Sequence, residues 1–161
     1  MGRASARDVE ELYLQRHVAF RNALTGIAGG PEAGADAMQE GFARALVSID
    51  QFRGDGDLEA WVWRICLNEA RMGHRRPRAD PLEAADAVAG VAVAERDPQV
   101  YAAIRLLPPR RRLVVFLRYF ADLSYDQIAA ATGMRPGTVA ATLAKARSEL
   151  YDTLAVEEVR A

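Results

Sequence analysis

The sequence predicts an all-α protein: two small helical domains joined by a flexible linker, the second containing a helix-turn-helix. Three observations carry this. Apolar residues recur at spacings of three and four through both halves, and no stretch shows the period of two that a half-buried strand requires. Turn residues punctuate these stretches, at Gly29-Gly30-Pro31, Gly54 to Gly56, and Gly133. Between the halves the composition shifts: residues 79–98 hold two prolines, many alanines and no aromatic residue. The expected division is therefore 1–78, a linker over 79–98, and 99–161.

The first domain reads as three helices. Ser5 precedes an amphipathic pattern of Val9, Leu12, Tyr13, Val18, Phe20 and Leu24. Gly29 and Gly30 end it, and Pro31 opens a second helix with Met38, Phe42, Ala45, Leu46 and Ile49 on one face. Asp50 to Gly56 is a loop by its glycines. Asp57 then caps a third helix bearing Leu58, Trp61, Val62, Ile65 and Ala70. That stripe puts Trp61 in the core. It leaves Trp63 off the stripe, the better placed of the two indoles for a DNA or interface contact. The linker contains one apolar piece, Val88 to Val93.

The second domain runs from near Gln99 to near Leu154, and residues 107–147 are its most informative part. Ser124 can cap a short helix, with Gln127 three residues on completing a capping box. Ile128 and Ala129 supply its buried stripe. Gly133 stands where the helix must end, and Pro136 suits the first turn of the next. Val139, Leu143, Ala146 and Leu150 make one face of that helix core, while Thr138, Ala141, Thr142 and Lys145 lie opposite. In a helix-turn-helix this second helix enters the DNA major groove. Two short helices joined at a glycine also make plain hairpins with no DNA role.

Composition narrows the remaining classes. The 161 residues carry a net charge of -1, so no global basic field announces nucleic acid. Local basic runs exist at Arg71, Arg75, Arg76 and Arg78 and at Arg110 to Arg112; each alone reads as a solvated helix end. Cys66 is the only cysteine, which excludes an internal disulfide, and it falls in an apolar helix as a small core residue. His17 and His74 are the only histidines, far apart and without metal-ligand spacing or a nucleophile motif. The expectation is no metal, no cofactor, no small-molecule substrate and no enzymatic activity. No signal peptide and no stretch long enough to cross a bilayer stand in the sequence, so a cytoplasmic protein without membrane insertion is expected.

Three motifs together resemble a bacterial RNA polymerase sigma factor of the extracytoplasmic-function (ECF) type, a minimal member of the sigma-70 family. Asp36-Ala-Met-Gln-Glu-Gly-Phe is similar to the family's Asp-Leu-Val-Gln-Glu-x-Phe helix. Phe52-Arg-Gly-Asp-Gly-Asp-Leu and Ala60-Trp-Val-Trp-Arg-Ile-Cys-Leu-Asn resemble its Phe-Arg-Gly-Asp-x-x-Leu loop and Ala-Trp-Leu-x-Arg-Ile-x-x-Asn helix. Leu107-Pro-Pro-Arg, Leu117-Arg-Tyr-Phe and Leu123-Ser-Tyr-x-x-Ile-Ala resemble its upstream-promoter domain. Their order and separations make the resemblance specific, and it covers nearly the whole chain.

The resemblance implies a region 2-like domain over 1–78 that docks on core polymerase and melts the -10 element. It implies a region 4-like domain over 99–161 that reads the -35 element. Asp36, Gln39, Glu40 and Phe42 would dock on core polymerase. Phe52, Arg53, Asp55, Trp63, Arg64, Asn68, Arg71 and Arg75 would contact the -10 element. Arg135, Thr138, Ala141, Thr142, Lys145 and Arg147 would contact the -35 element. Core RNA polymerase and promoter DNA are the implied partners, with an anti-sigma factor as a third. Melting requires capturing a base that has left the stack; unstacking costs about a few kcal/mol, and an aromatic platform returns ~1–3 kcal/mol per base. The chain departs from the family at Ala33 and Ala35, which lack acidic groups, at Leu67, which lacks a basic one, and at Arg135, where a Ser or Thr cap is usual. Ala140, Ala141 and Thr142 replace basic and hydroxyl residues; alanine meets a thymine methyl but makes no bidentate bond to a base. Two alternatives share part of the pattern. One is a stand-alone helix-turn-helix regulator, which needs a dimer surface or a strongly basic head. The other is a degenerate sigma-like interaction protein.

Overall fold

The computed structural model describes residues 3–73 and 97–160. Among them lie seven α-helices, one 3-10 turn and no strand. The first domain comprises α1 (Ala6–Ala28), α2 (Pro31–Ser48), the 3-10 turn Ile49–Gln51 and α3 (Leu58–Gly73). The second comprises α4 (Pro98–Leu106), α5 (Pro109–Tyr119), α6 (Tyr125–Thr132) and α7 (Pro136–Arg160). Of the expected linker, 79–96 lie outside the described residues; Pro98 opens α4 instead of ending a linker.

Local chemistry sets the helix ends. The Ser5 N–H donates to the Asp8 carboxylate at 2.7 Å, and this bond holds the Asp8 carboxyl below the usual carboxylate range. Asp57 accepts from the Ala60 N–H at 3.2 Å and so caps α3. Ser124 and Gln127 form the expected capping box: Gln127 N–H donates to Ser124 Oγ at 3.1 Å, and Ser124 N–H to Gln127 Oε1 at 2.9 Å. Gly133 ends α6 at φ 75°, left-handed backbone that favours glycine.

Aromatic stacking builds the first core. Phe20 lies flat on Trp63, with ring centroids 4.0 Å apart and 8° between planes. Phe42 meets Phe20 edge-on at 4.9 Å and Tyr13 at 5.1 Å. Helices α2 and α3 approach closely at Gly41, where an added Cβ would stand 2.3 Å from Cys66 Sγ. In the second domain Phe116, Leu117, Leu123, Ile128, Val139, Leu143 and Ala146 are fully buried.

The structure corrects the expected stripe on α3. Trp63 is 0% exposed and belongs to the core, while Leu58, Trp61 and Ile65 are half-buried. The cause is that α3 packs against α1 and α2 and also against α6. Burial therefore extends around the helix beyond a single stripe. Val18 and Leu46, read as apolar-face residues, are exposed.

Candidate nucleic-acid interface

Helix α7 carries the polar face expected of a reading helix. Successive residues turn by ~100°, so Thr138, Ala141, Thr142 and Lys145 fall on one side. With Pro108, Arg110 and Arg111 they line a cleft of about 390 Å³. The cleft is a groove between the start of α5 and the first turns of α7, with cations at its edges and small side chains at its centre. The Thr142 hydroxyl donates to the Thr138 carbonyl at 2.7 Å. Arg111 is ion-paired with Glu149. Arg135, Thr138, Ala141 and Lys145 are exposed.

Arg147 does not belong to this face. Nine residues from Thr138, it points to the other side of the helix. Its Nε donates to the Tyr119 hydroxyl at 2.5 Å, and its guanidinium lies 5.6 Å from the centre of the Tyr119 ring. That contact joins α7 to α5.

In the first domain, Arg53 and Asp55 are exposed on the loop before α3. Phe52 is buried and leans on Trp61 with centroids 5.4 Å apart. Arg64, Asn68 and Arg71 form one exposed ridge along α3. Arg75 lies outside the described residues. Trp63 cannot stack on a base from its place under Phe20. Trp61, seven residues before Asn68, is half-buried beside this ridge and next to the loop. It is the indole that sequence reasoning set aside, and the spacing of seven was the signal that pointed to it.

Helix α2 presents Asp36, Gln39 and Glu40 on its exposed face. Phe42 points the other way, into the aromatic core. Val47 continues the exposed face and is 87% exposed. Among the described residues no group of three His, Cys, Asp or Glu is placed to hold a metal ion, and no helix is long and apolar enough to cross a membrane.

Comparison with known proteins decides what this arrangement is. The sigma-70 region 2 family matches residues 12–88, and the sigma-70 region 4 family matches residues 98–150. The ECF RNA polymerase sigma-E factor of Escherichia coli is 32% identical over 134 residues, spanning 71% of this chain and 70% of that protein. The chain belongs to the ECF RNA polymerase sigma factors. The ECF sigma factor EcfG of Rhodopseudomonas palustris is 28% identical over 138 residues, 81% of this chain and 76% of EcfG. The solved structure of CnrH in complex with the cytosolic domain of CnrY superposes with a TM-score of 0.72 at 25% identity, covering 95% of this chain and 91% of that one. RpoE from Bartonella quintana, in complex with the anti-sigma factor NepR, gives a TM-score of 0.72 at 22% identity over 93% and 98% of the two chains. An ECF sigma factor works with core RNA polymerase to recognise promoters, and this chain is one.

Proposed function

We propose how the surfaces divide that work. The exposed face of α2, at Asp36, Gln39 and Glu40, docks on core polymerase. The loop from Phe52 to Asp57 and the α3 ridge of Arg64, Asn68 and Arg71 hold the melted -10 strand, with Trp61 as the aromatic platform. The α7 face of Arg135, Thr138, Ala141, Thr142 and Lys145, with Arg110, takes the -35 major groove. The single observation that carries this division is that each set lies on one exposed helix face, apart from the aromatic cores behind it. The chain itself performs no chemistry, and it acts in the cytoplasm where polymerase and DNA are. An anti-sigma factor is proposed as its regulator, since CnrH and the Bartonella RpoE were both solved with a partner of that kind or a cytosolic domain bound.

The α7 face reads weakly through hydrogen bonds. Ala141 offers a methyl group and Thr142 a hydroxyl already bonded within the helix, so phosphate contacts from Lys145, Arg135 and Arg110 carry much of the affinity. The test is co-elution of the full chain with core polymerase. Asp36→Lys with Glu40→Lys should abolish it while circular dichroism stays unchanged, because neither side chain is buried. Undiminished co-elution would refute the docking assignment. Truncating Phe42 would be uninformative, since it would damage the core.

A further inference from the structure

The two domains touch at both ends of α1, and the contacts differ in kind from ordinary side-chain packing. At one end Gly26 lies under Phe116 of α5. A Cβ built on Gly26 would sit 2.3 Å from the Phe116 ring, and that ring supplies its three nearest atoms. At the other end Arg16 reaches across. Its Nε donates to Glu59 of α3 at 2.9 Å, and its Nη2 to the carbonyl of Ala121, in the turn between α5 and α6. That turn is held in place by Asp122 at φ 53° and by Arg118, which donates to the Leu123 carbonyl at 3.1 Å. A third contact joins two helix caps. Gln127 completes the α6 capping box with its carbonyl oxygen and donates its amide N–H to the Asp57 carboxylate at 2.8 Å, while Asp57 caps α3. The Ser124 N–H fixes which end of the Gln127 amide is oxygen, so the amide nitrogen is the group aimed at Asp57.

We propose that these contacts clasp the two domains together in the free protein, and that this closed state withholds both DNA-reading faces until core polymerase and promoter open it. It rests on the DNA-contact roles proposed above. Elements centred at -10 and -35 lie about 25 base pairs apart, ~85 Å of duplex at ~3.4 Å per base pair. In the closed protein Arg71 of the -10 ridge and Arg110 of the -35 set line one groove of about 720 Å³, together with Ile27, Leu67, Leu113 and Met134. Two residues on the walls of one groove cannot reach DNA sites that far apart. Asp57, at the base of the capture loop, is also occupied by Gln127. The closed state and the promoter-bound state are therefore mutually exclusive, and the free energy of closure is subtracted from binding. Closure that leaves about a tenth of the molecules open weakens apparent affinity about tenfold.

The test uses the full chain with spin labels on Gln15→Cys and Asp152→Cys, both exposed positions on opposite domains. Cys66 is buried and stays unlabelled. Free wild type should give one narrow distance distribution. Gly26→Glu places a carboxylate against the Phe116 ring while improving helix propensity, so it should lengthen and broaden that distribution without loss of helicity. Arg16→Ala, at the opposite end of the interface, should act in the same direction. Core polymerase should lengthen the wild-type distance, and Gly26→Glu should bind it about tenfold more tightly if the open form is about a tenth of the free population. A long, broad distribution in free wild type would overturn the clasp. So would a narrow one unchanged by both substitutions, or equal polymerase affinity of an opened variant and wild type. A clasp that opens as expected in a chain that never binds polymerase would instead sink the docking role and leave the closed state standing.

Discussion

Replacing Trp63 separates a structural indole from a DNA-binding one. The side chain is fully buried and lies flat on Phe20, 4.0 Å between centroids. Trp63→Ala removes that stack and leaves a cavity, at a cost of about 3–5 kcal/mol. For a chain of this length each kcal/mol lowers the melting temperature by about 2–4 °C, so the expected drop is about 6–20 °C. Trp63→Phe should behave differently. The indole Nε1 is buried without a hydrogen-bond partner, and such a group costs about 1–3 kcal/mol. Phenylalanine keeps a ring over Phe20 and removes that orphan donor, which offsets the lost volume. Its net cost should stay below about 1.5 kcal/mol. The assay is thermal unfolding of the full chain by circular dichroism, paired with binding to a single-stranded -10 oligonucleotide in the presence of core polymerase. Wild-type melting of Trp63→Ala together with a loss of DNA affinity of ~1–3 kcal/mol would refute the core assignment.

Three more outcomes follow from the geometry. Lys145→Ala should lower the magnitude of the salt slope of holoenzyme binding to promoter DNA by about 1, whereas Arg147→Ala should leave it unchanged, because Arg147 is turned toward Tyr119; equal effects in a salt titration would contradict this. Gly133→Ala should destabilise by about 1–2 kcal/mol from left-handed strain alone, since nothing lies within 4 Å of the added Cβ, and a neutral result in denaturant unfolding would contradict the helix-end geometry. Burial pushes the Cys66 thiol well above its ordinary range, so alkylation should be slow in the folded chain and fast once it unfolds. The sign for stability follows: the folded thiol stays neutral where the unfolded one ionises, so this contribution falls as pH rises past the unfolded value, and rapid native-state alkylation would argue against it.

What the sequence made legible is what depends on neighbours along the chain. Ser124 with Gln127, Asp57 before α3, and Gly133 at a helix end are local devices, and each stands where the sequence put it. The division of α7 into a core face and a polar face was also legible, because Val139, Leu143 and Ala146 bury one side only. Arg147 was misassigned although helical arithmetic alone turns it away from Lys145's face. Trp61 and Trp63 were exchanged for another reason. A single apolar stripe presumes one packing partner, and α3 has three. Phe42 matched a docking motif yet serves the aromatic core, since a motif match does not say which way a side chain points. The contacts between domains left no periodic signal at all. Gly26 contributes the lack of a side chain, and Arg16 binds a backbone carbonyl, which any residue possesses.

Run-off transcription by core polymerase on genomic promoter fragments bears most directly on the role of the two helix faces. Full-length chain should direct discrete transcripts that core enzyme alone does not make. Asp36→Lys with Glu40→Lys should abolish them, and Lys145→Ala should reduce them more at higher salt. A chain that co-elutes with core polymerase but yields no transcript above core enzyme alone would contradict promoter reading by these faces.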